Sequence, residues 1–568
     1  MTINKRPHFF KLRSEVANYL NIICDSLTPG LWVAMFLAGF LSVYDIFAFY
    51  MEHNESLPRK FGLVCFACLL ATAYTLLLNL TKEKKWLYWP ALIFVSATVM
   101  LSVINGLSYI FYGIGISSKM VTVFAETNPS EVKEFIQVMP EWVGNKIYSS
   151  NTIMIIVAIA AMFIITRMLP RELFSGTVVM FSIVGLAYVS MYFMKSQWGR
   201  KNHIIAVRVI SCIKSYKEST DNIRDLLSHR RDLPSLETVE SRHYAENLIF
   251  VIGESASRGH HSKYGYRLPT TPHLDSISSG LYVFTDALAS SMLTSVNIPR
   301  ILTFMSDEPN EKEWYEYPSV IQLMKKMGYT VGWITNQERT GKFSNLSVIL
   351  SEDADVVKYV GATDSEDHLM DKYDESLLPP FRDFMGIKDS LKFVCLHLMG
   401  SHMDFRYRYP TNRSVFSPQD VHKEYPNPWL DESKAQLVAE YDNSVHYTDS
   451  ILNEVISSIK DLPEPSALVY LSDHGHTVYD QSDYYGRDEL SAEVPFMVYL
   501  NAAYRNMYPE IVERVEEGVD RPFSTSQTIY LLLTLSGGKY ISYKDEADPI
   551  SPSFVARPRF FDGKLIDK

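Results

Sequence analysis

Long apolar stretches separated by short polar loops dominate the first part of this 568-residue chain. Five of them, which are nearly free of charged side chains, lie at residues 31–51, 61–80, 86–112, 152–165 and 174–194. Most are close to the ~20 residues that a helix needs to cross a bilayer, and core helices of soluble proteins are rarely so long and apolar. The pattern predicts a five-helix transmembrane domain over residues 1–195.

The same stretches set the expected topology. The start of the chain lacks the short basic region and apolar core of a cleavable signal peptide, so we expect the first stretch to be the anchor. A small excess of lysine and arginine in alternate loops favours a cytoplasmic N-terminus. With five spans, the rest of the chain then lies outside the cytosol.

The pattern changes after the fifth stretch. Residues 196–243 are charged and helix-prone, which predicts a linker with interfacial helices, and a solvated connector is an equally good interpretation. In residues 244–568, short continuous apolar runs alternate with segments of 3.6-residue rhythm. Strands are predicted at NLIFVIG, YTVGWITN, the run ending in FVC, SALVYLS and VPFMVYL, and helices at EYPSVIQLMKKMG and EYDNSVHYTDSILNEVISSIKD. This alternation predicts an α/β domain with a mostly parallel central sheet and helices on both faces.

Residues with metal-ligand chemistry follow three of these strands. Glu254 comes after NLIFVIG, His397 and His402 end or follow the FVC run, and Asp473 and His474 come after SALVYLS. The carboxyl ends of parallel strands meet in one crevice, so these residues are expected to be neighbours. Two carboxylates and an imidazole suit zinc or manganese with a position left open. The alternative for the Asp-His pair alone is a helix-capping turn.

Composition narrows the class of protein. The net charge of −11 leaves no broad basic surface, so we expect no nucleic-acid partner. There are only five cysteines, and three of them fall in or beside the apolar stretches, so a disulfide scaffold is not expected.

Six strings in this order, VIGESASRGHHSKYGY, TDALASSMLTSVNIPRILTF, WITNQE, HLMGSHMDFRYRYP, EYDNSVHYTDSIL and SDHGHTVYD, resemble the phosphoethanolamine transferases of Gram-negative inner membranes. These enzymes belong to the alkaline phosphatase and sulfatase-like superfamily, and the likeness covers essentially the whole chain. It is greatest to those that modify the heptose of the lipopolysaccharide core.

The resemblance implies a multi-pass inner-membrane protein whose alkaline phosphatase-like catalytic domain lies in the periplasm. It implies a two-step transfer, in which a zinc-activated threonine takes phosphoethanolamine from phosphatidylethanolamine and passes it to lipid A, a core sugar or another envelope glycan. Membrane lipids and lipopolysaccharide are thus the implied partners.

Thr294 matches the family's nucleophile, and the implied zinc ligands are Glu254, Thr294, Asp473 and His474. Metal coordination raises the alkoxide fraction of a hydroxyl that is otherwise a poor nucleophile. Ser291 and Ser295 are the competing hydroxyls, and an ordinary helix N-cap is the alternative role of Thr294.

Four further residues are implied in substrate binding. His402 matches a residue that contacts phosphate or a second metal, whereas His397 is as well interpreted as a core histidine. Thr127 and Glu131 match residues that bind the lipid headgroup, and a solvated helix face that includes Glu131 is the alternative. Relatives often have an asparagine at Val123 and another histidine downstream of His474. The chain departs from both patterns. The Val123 departure concerns the donor site, whereas the missing downstream histidine leads us to expect one zinc site. His476 is interpreted as a surface substitution.

Three other functions fit the general pattern less well. A sulfatase needs a C/S-x-P-x-R arrangement, which SVNIPR does not supply. A phosphoglycerol transferase of the lipoteichoic acid synthase type shares the spans, the threonine and the metal chemistry, but not the TNPSE and HLMGSH strings. A non-catalytic sensor module would be expected to have lost a metal ligand or the nucleophile, and all four positions are present.

Overall fold

The computed structural model describes residues 31–32, 35–38, 57–112, 116, 121, 177–187, 205, 208–214, 217, 238–308, 312–337, 346–360, 373–388, 391–479, 484–486, 488–540 and 543–567. They fall into two compact units. The described residues up to 217 belong to the first unit, and those from 238 onward belong to the second.

The first unit contains three described helices longer than ten residues, α1 (Leu57–Thr81), α2 (Lys85–Tyr112) and α3 (Thr177–Ala187). Two of these, α1 and α2, contain segments long and apolar enough to cross a membrane, and they coincide with the second and third predicted spans. The fifth span is described only over α3, the first only at 31–32 and 35–38, and the fourth lies outside the described residues. The count of five spans therefore stays a prediction.

Hydroxyl side chains in α1 are satisfied within the unit. Thr75 Oγ1 donates to the carbonyl of Ala71, 2.7 Å away, and Thr72 Oγ1 is 2.8 Å from Ser182 Oγ on α3. Such bonds satisfy the polar groups of hydroxyl residues that are buried in an apolar helix.

The second unit contains fifteen strands and ten helices among the described residues. The strands are β1 (Thr238–Ser241), β2 (Asn247–Gly253), β3 (Leu281–Phe284), β4 (Ala287–Leu288), β5 (Tyr329–Thr335), β6 (Val356–Tyr359), β7 (Leu391–His397), β8 (Ser466–Ser472), β9 (Thr477–Val478), β10 (Tyr485–Gly486), β11 (Phe496–Leu500), β12 (Phe523–Ser524), β13 (Gly538–Tyr540), β14 (Arg559–Phe561) and β15 (Lys564–Asp567). The helices are α4 (Pro272–Ser276), α5 (Thr294–Leu302), α6 (Val320–Lys326), α7 (Leu346–Ser351), α8 (Leu378–Met385), α9 (Pro418–Glu424), α10 (Glu432–Lys460), α11 (Ala502–Met507), α12 (Pro509–Gly518) and α13 (Thr528–Ser536).

A seven-stranded sheet in the order β3-β11-β8-β2-β7-β5-β6 forms the centre of this unit. Strands β8, β2, β7, β5 and β6 are parallel, whereas β11 runs antiparallel to both β3 and β8. The mostly parallel sheet is confirmed, and the predicted strands coincide with β2, β5, β7, β8 and β11. The antiparallel direction of β11 is not encoded in its apolar run, because a strand buried on both faces looks the same in either direction.

Both faces of the sheet are covered, as the continuous apolar runs require. Leu248, Phe250 and Ile252 of β2 pack in one core cluster with residues of α5, α6 and α13. Ile249 and Val251, which point to the opposite face, pack in a second cluster with residues of α8 and α10. The predicted helices α6 and α10 thus lie on opposite faces.

The register of the three central strands aligns their carboxyl ends. Ile252 of β2 pairs with His397 of β7, and Gly253 pairs with Ser472 of β8. The next residue along each strand therefore emerges at the same edge of the sheet.

Candidate metal centre

Three buried side chains that could bind a metal ion, the candidate ligands, converge at this edge. Glu254 follows β2 directly, and Asp473 and His474 follow β8. One ligand atom from each residue lies within 4.8 Å of the others, and all three side chains are buried. The helix-capping interpretation of the Asp-His pair is wrong, because residues 473–476 form a loop between β8 and β9 and no helix follows.

The orientation of His474 suits a cation. Its Nδ1 donates to the carbonyl of Gly475, 2.9 Å away, which leaves a lone pair on Nε2. That Nε2 lies 3.4 Å from Glu254 Oε1 and 3.7 Å from Asp473 Oδ2. Within the part of the chain that the structure describes, neither Nε2 nor Asp473 Oδ2 has a hydrogen-bond partner. Buried acceptor atoms that face one another are costly unless a cation lies between them, so these residues fit a metal ion.

The two carboxylates have different electrostatic surroundings. Burial, reinforced by the charge of Glu254, raises the pKa of Asp473 to about 6. Burial also acts to raise the pKa of Glu254, but His474, His402 and His397 in their protonated forms outweigh it and hold the pKa below its usual range. Glu254 is thus the carboxylate that stays ionised. Two adjacent buried carboxylates repel each other when both are charged, so the pKa of one of them rises.

Thr294 brings a hydroxyl to these carboxylates. Its Oγ1 lies 3.1 Å from both Oε1 and Oε2 of Glu254 and donates to this carboxylate. Thr294 is the first residue of α5, and Leu293 occupies the N-cap, so the N-cap role for Thr294 is wrong. The competing Ser291 is buried and donates instead to Asp562 Oδ1, 2.7 Å away.

The serines around these residues, for which no role was predicted, shape the turn after Glu254. Ser255 has φ +56, a left-handed conformation that a non-glycine residue adopts at a cost of roughly 1–2 kcal/mol. Its backbone N–H donates to Asp473 Oδ1 at 3.1 Å, and the N–H of Ala256 donates to Ser472 Oγ at 2.8 Å. These bonds hold the turn after Glu254 against the loop that carries the other two ligands.

His397 ends β7 with its imidazole buried against Trp333, their ring centroids 6.0 Å apart. Among the described residues neither of its ring nitrogens has a hydrogen-bond partner. Burial lowers the pKa of His397 to about 4, although the charge of Glu254 opposes this shift. His397 is therefore neutral near pH 7.

The loop that carries His402 rests on the backbone of Glu254. Ser401 N donates to the carbonyl of Glu254 at 2.9 Å. Gly400 has φ +54, and a Cβ there would lie 2.8 Å from both the N and the O of Glu254, so only glycine fits. Asp374, which sequence analysis missed, accepts from Met399 N and Gly400 N, each at 2.8 Å.

Thr127 and Glu131 lie outside the described residues. His476 is 3 % exposed, with its ring centroid 4.8 Å from that of Tyr485, so its interpretation as a surface substitution is wrong.

The EYDNSVHYTDSIL string lies in α10 and forms hydrogen bonds with the segment that follows Glu254. Asp442 accepts from His260 Nδ1 at 2.6 Å and from the hydroxyl of Tyr266 at 2.9 Å. Asp449 accepts from both the backbone N and the Nδ1 of His273. Asp442 and Asp449 are therefore structural.

Comparison with known proteins places these features in context. The family model described as Sulfatase matches residues 246–534. Phosphoethanolamine transferase EptC of Escherichia coli strain K12 is 26% identical over 481 residues, which cover 80% of each chain.

Two solved structures share the fold. The C-terminal periplasmic domain of EptC from Escherichia coli, in complex with Zn, is 28% identical and covers 59% of this chain and 96% of that domain, with a TM-score of 0.54. The integral membrane lipooligosaccharide phosphoethanolamine transferase A of Neisseria meningitidis is 15% identical and covers 92% of this chain and 98% of its own, with a TM-score of 0.61. The second likeness shows the fold alone.

Proposed function

This chain belongs to the sulfatase family, and from that membership and the geometry of the site we propose that it is a metal-dependent phosphoethanolamine transferase. The observation that carries the proposal is the position of the Thr294 hydroxyl, 3.1 Å from both oxygens of Glu254. A nucleophile that adjoins a cluster of candidate metal ligands is suited to covalent phosphoryl transfer, because metal coordination is one of the ways to activate a hydroxyl. The EptC relative bears the same activity in its name.

The metal is proposed to be a single zinc, held by Glu254, Asp473, His474 and the hydroxyl of Thr294, with manganese as the other ion that this ligand set accommodates. The Zn complex of the EptC domain supports this choice. When bound, the ion lowers the pKa of the threonine hydroxyl and neutralises charge on the phosphoryl oxygens.

The reaction has two balanced steps. Thr294 Oγ1 attacks the phosphorus of phosphatidylethanolamine, the bond from phosphorus to the diacylglycerol oxygen breaks, and that oxygen takes up the proton that Thr294 gives up. An acceptor hydroxyl or phosphate oxygen then attacks the phosphorus, and the bond from phosphorus to Thr294 Oγ1 breaks. Thr294 regains the proton that the acceptor hydroxyl gives up or, with an ionised phosphate acceptor, takes a proton from water. Phosphoethanolamine has then moved from the lipid to the acceptor.

Four residues are proposed to bind the substrates. His402 contacts a phosphoryl oxygen, and His397 contributes a neutral imidazole to the same substrate-binding site. Thr127 and Glu131 bind the headgroup, where a carboxylate complements the ethanolamine ammonium. The acceptor is proposed to be lipopolysaccharide, at lipid A or a core sugar, or another envelope glycan.

The proposed organisation is a membrane domain of five spans over residues 1–195, a linker over 196–243 and a catalytic domain over 244–568. The apolar segments of α1 and α2 support the membrane domain. The proposed location is the bacterial inner membrane with the catalytic domain in the periplasm, because five spans from a cytoplasmic N-terminus end outside the cytosol.

The test is mass spectrometry of the purified protein after incubation with phosphatidylethanolamine and, separately, with phosphatidylglycerol. We expect one phosphoethanolamine adduct, located on Thr294 by peptide fragmentation. A phosphoglycerol adduct alone would establish the lipoteichoic acid synthase type of transfer instead. No adduct from either lipid would favour the sensor module.

A further inference from the structure

The backbone turn that follows Glu254 is hydrogen-bonded to a tyrosine from a distant part of the chain. Tyr441 lies in α10 and is fully buried. Its hydroxyl donates to the carbonyl of Ser255 at 2.7 Å and accepts from the backbone N–H of Ser257 at 2.8 Å. One phenol oxygen therefore satisfies a backbone acceptor and a backbone donor on either side of Ala256.

The tyrosine ring is itself held in place. Its centroid lies 4.8 Å from that of Phe405 and 4.8 Å from that of His260, and both pairs meet edge to face. The His260 ring is fixed in turn by Asp442, the neighbour of Tyr441 in α10. Because the ring is packed on two sides, the position of its hydroxyl follows the position of the helix.

The opposite side of the turn contacts the loop of the other two ligands. Ser255 N donates to Asp473 Oδ1, and Ser257 Oγ donates to the carbonyl of His476 at 2.7 Å. The turn thus lies between α10 and the Asp473-His474 loop. Since Ser255 adopts a left-handed conformation that is unfavourable on its own, contacts from both sides are needed to keep it there.

We propose that Tyr441 is a positioning residue whose hydroxyl holds the Ser255–Ser257 turn, and through it Glu254, in the conformation that binds the metal. The proposal rests on the metal centre proposed above. It assigns a role to the tyrosine of the EYDNSVHYTDSIL string, in which Asp442 and Asp449 are structural.

The test compares the full chain with its Tyr441→Phe variant, which removes one oxygen and keeps the ring. Zinc affinity is measured by competition with a chromophoric chelator. We expect the Kd for zinc to rise about 10-fold, the lower end of the effect usually seen when support of a metal ligand is lost. We also expect faster hydrogen exchange of the Ser257 amide.

The matched control is Tyr504→Phe. Tyr504 is also fully buried, and its hydroxyl donates to the carbonyl of Leu535 at 2.9 Å in the core that contains α11 and α13. This variant loses a buried hydroxyl of the same kind, so it reports the general cost of the change. We expect its zinc Kd to equal that of the unaltered protein.

The outcomes are distinguishable. Equal zinc affinity in Tyr441→Phe, Tyr504→Phe and the unaltered protein would overturn the positioning role, whereas absence of zinc binding by the unaltered protein would overturn the metal centre itself. If Tyr441→Phe does not fold, hydrogen exchange of the Ser257 amide in the unaltered protein, with and without zinc, tests the proposal instead. If the turn and the metal stabilise one conformation, zinc must slow exchange of the Ser257 amide, and an unchanged rate would refute the coupling.

Discussion

Replacing Thr294 by alanine separates the chemical role of this residue from its structural role. The variant removes the hydroxyl that bonds to Glu254 and leaves the backbone of α5 in place. We expect transfer to be lost and the fold and membrane insertion to be kept, because the two effects differ greatly in size.

The structural cost is small. The hydroxyl has one proton, shared between two carboxylate oxygens at 3.1 Å, so a single hydrogen bond to a charged group is lost, at about 1.5 kcal/mol. The free energy of unfolding regains about 0.5 kcal/mol, because alanine is a better helix former than threonine. The net loss is about 1 kcal/mol, which corresponds to a fall in Tm of roughly 1–2 °C, because the unfolding entropy of a domain of about 325 residues is about 0.7 kcal/mol/K.

The chemical cost is larger. Without a nucleophile no covalent intermediate forms, and losses from removing a nucleophile are commonly on the order of 10⁴-fold or more in kcat. Since each tenfold is 1.36 kcal/mol, this is at least about 5 kcal/mol of transition-state stabilisation. The effect on activity is thus about five times the effect on stability.

The assay follows transfer from phosphatidylethanolamine together with thermal unfolding of the same preparation. Thr294→Ser, which keeps a hydroxyl at the site, serves as the positive control, and Ser295→Ala tests the neighbouring hydroxyl. An adduct that persists in Thr294→Ala, or that maps to Ser295 in the unaltered protein, would refute the assignment.

Three further outcomes are expected. Dialysis against a chelator should abolish transfer and lower Tm, and excess zinc should restore both, because an ion that binds only the folded state stabilises it by RT ln(1 + [L]/Kd); an unchanged Tm would argue against the site. Gly400→Ala should lower the free energy of unfolding by about 2 kcal/mol or more and reduce activity. The added Cβ would meet the backbone of Glu254, and the φ of +54 disfavours alanine. Denaturant unfolding measures this loss, and an unchanged stability would contradict the close packing. Asp374→Asn should lower the free energy of unfolding by about 1–3 kcal/mol and lower kcat, with zinc affinity unchanged. One of the two carboxylate oxygens that accept from the His402 loop becomes an NH₂ group, which cannot accept. Kinetics measured beside a zinc titration would distinguish this effect from a loss of metal.

The sequence by itself determined the elements of the catalytic unit. Continuous apolar runs such as SALVYLS must be buried on both faces, so they specify central strands and require covering helices. The same reasoning placed Glu254, Asp473 and His474 together, because residues that follow parallel strands emerge at one edge of the sheet. The apolar stretches at α1 and α2 likewise specified helices of membrane-spanning length.

Only the tertiary structure decided which polar residues support the site. No local pattern encodes the antiparallel direction of β11, the left-handed turn at Ser255 or the hydrogen bonds from Tyr441 to that turn. All three depend on contacts between distant parts of the chain. His476 shows the same limit, since a polar residue type suggests the surface whereas the packing of Phe405 and Tyr485 buries it. Periodicity reports how much of each element is buried, but the partners of a buried polar group are fixed by the fold as a whole.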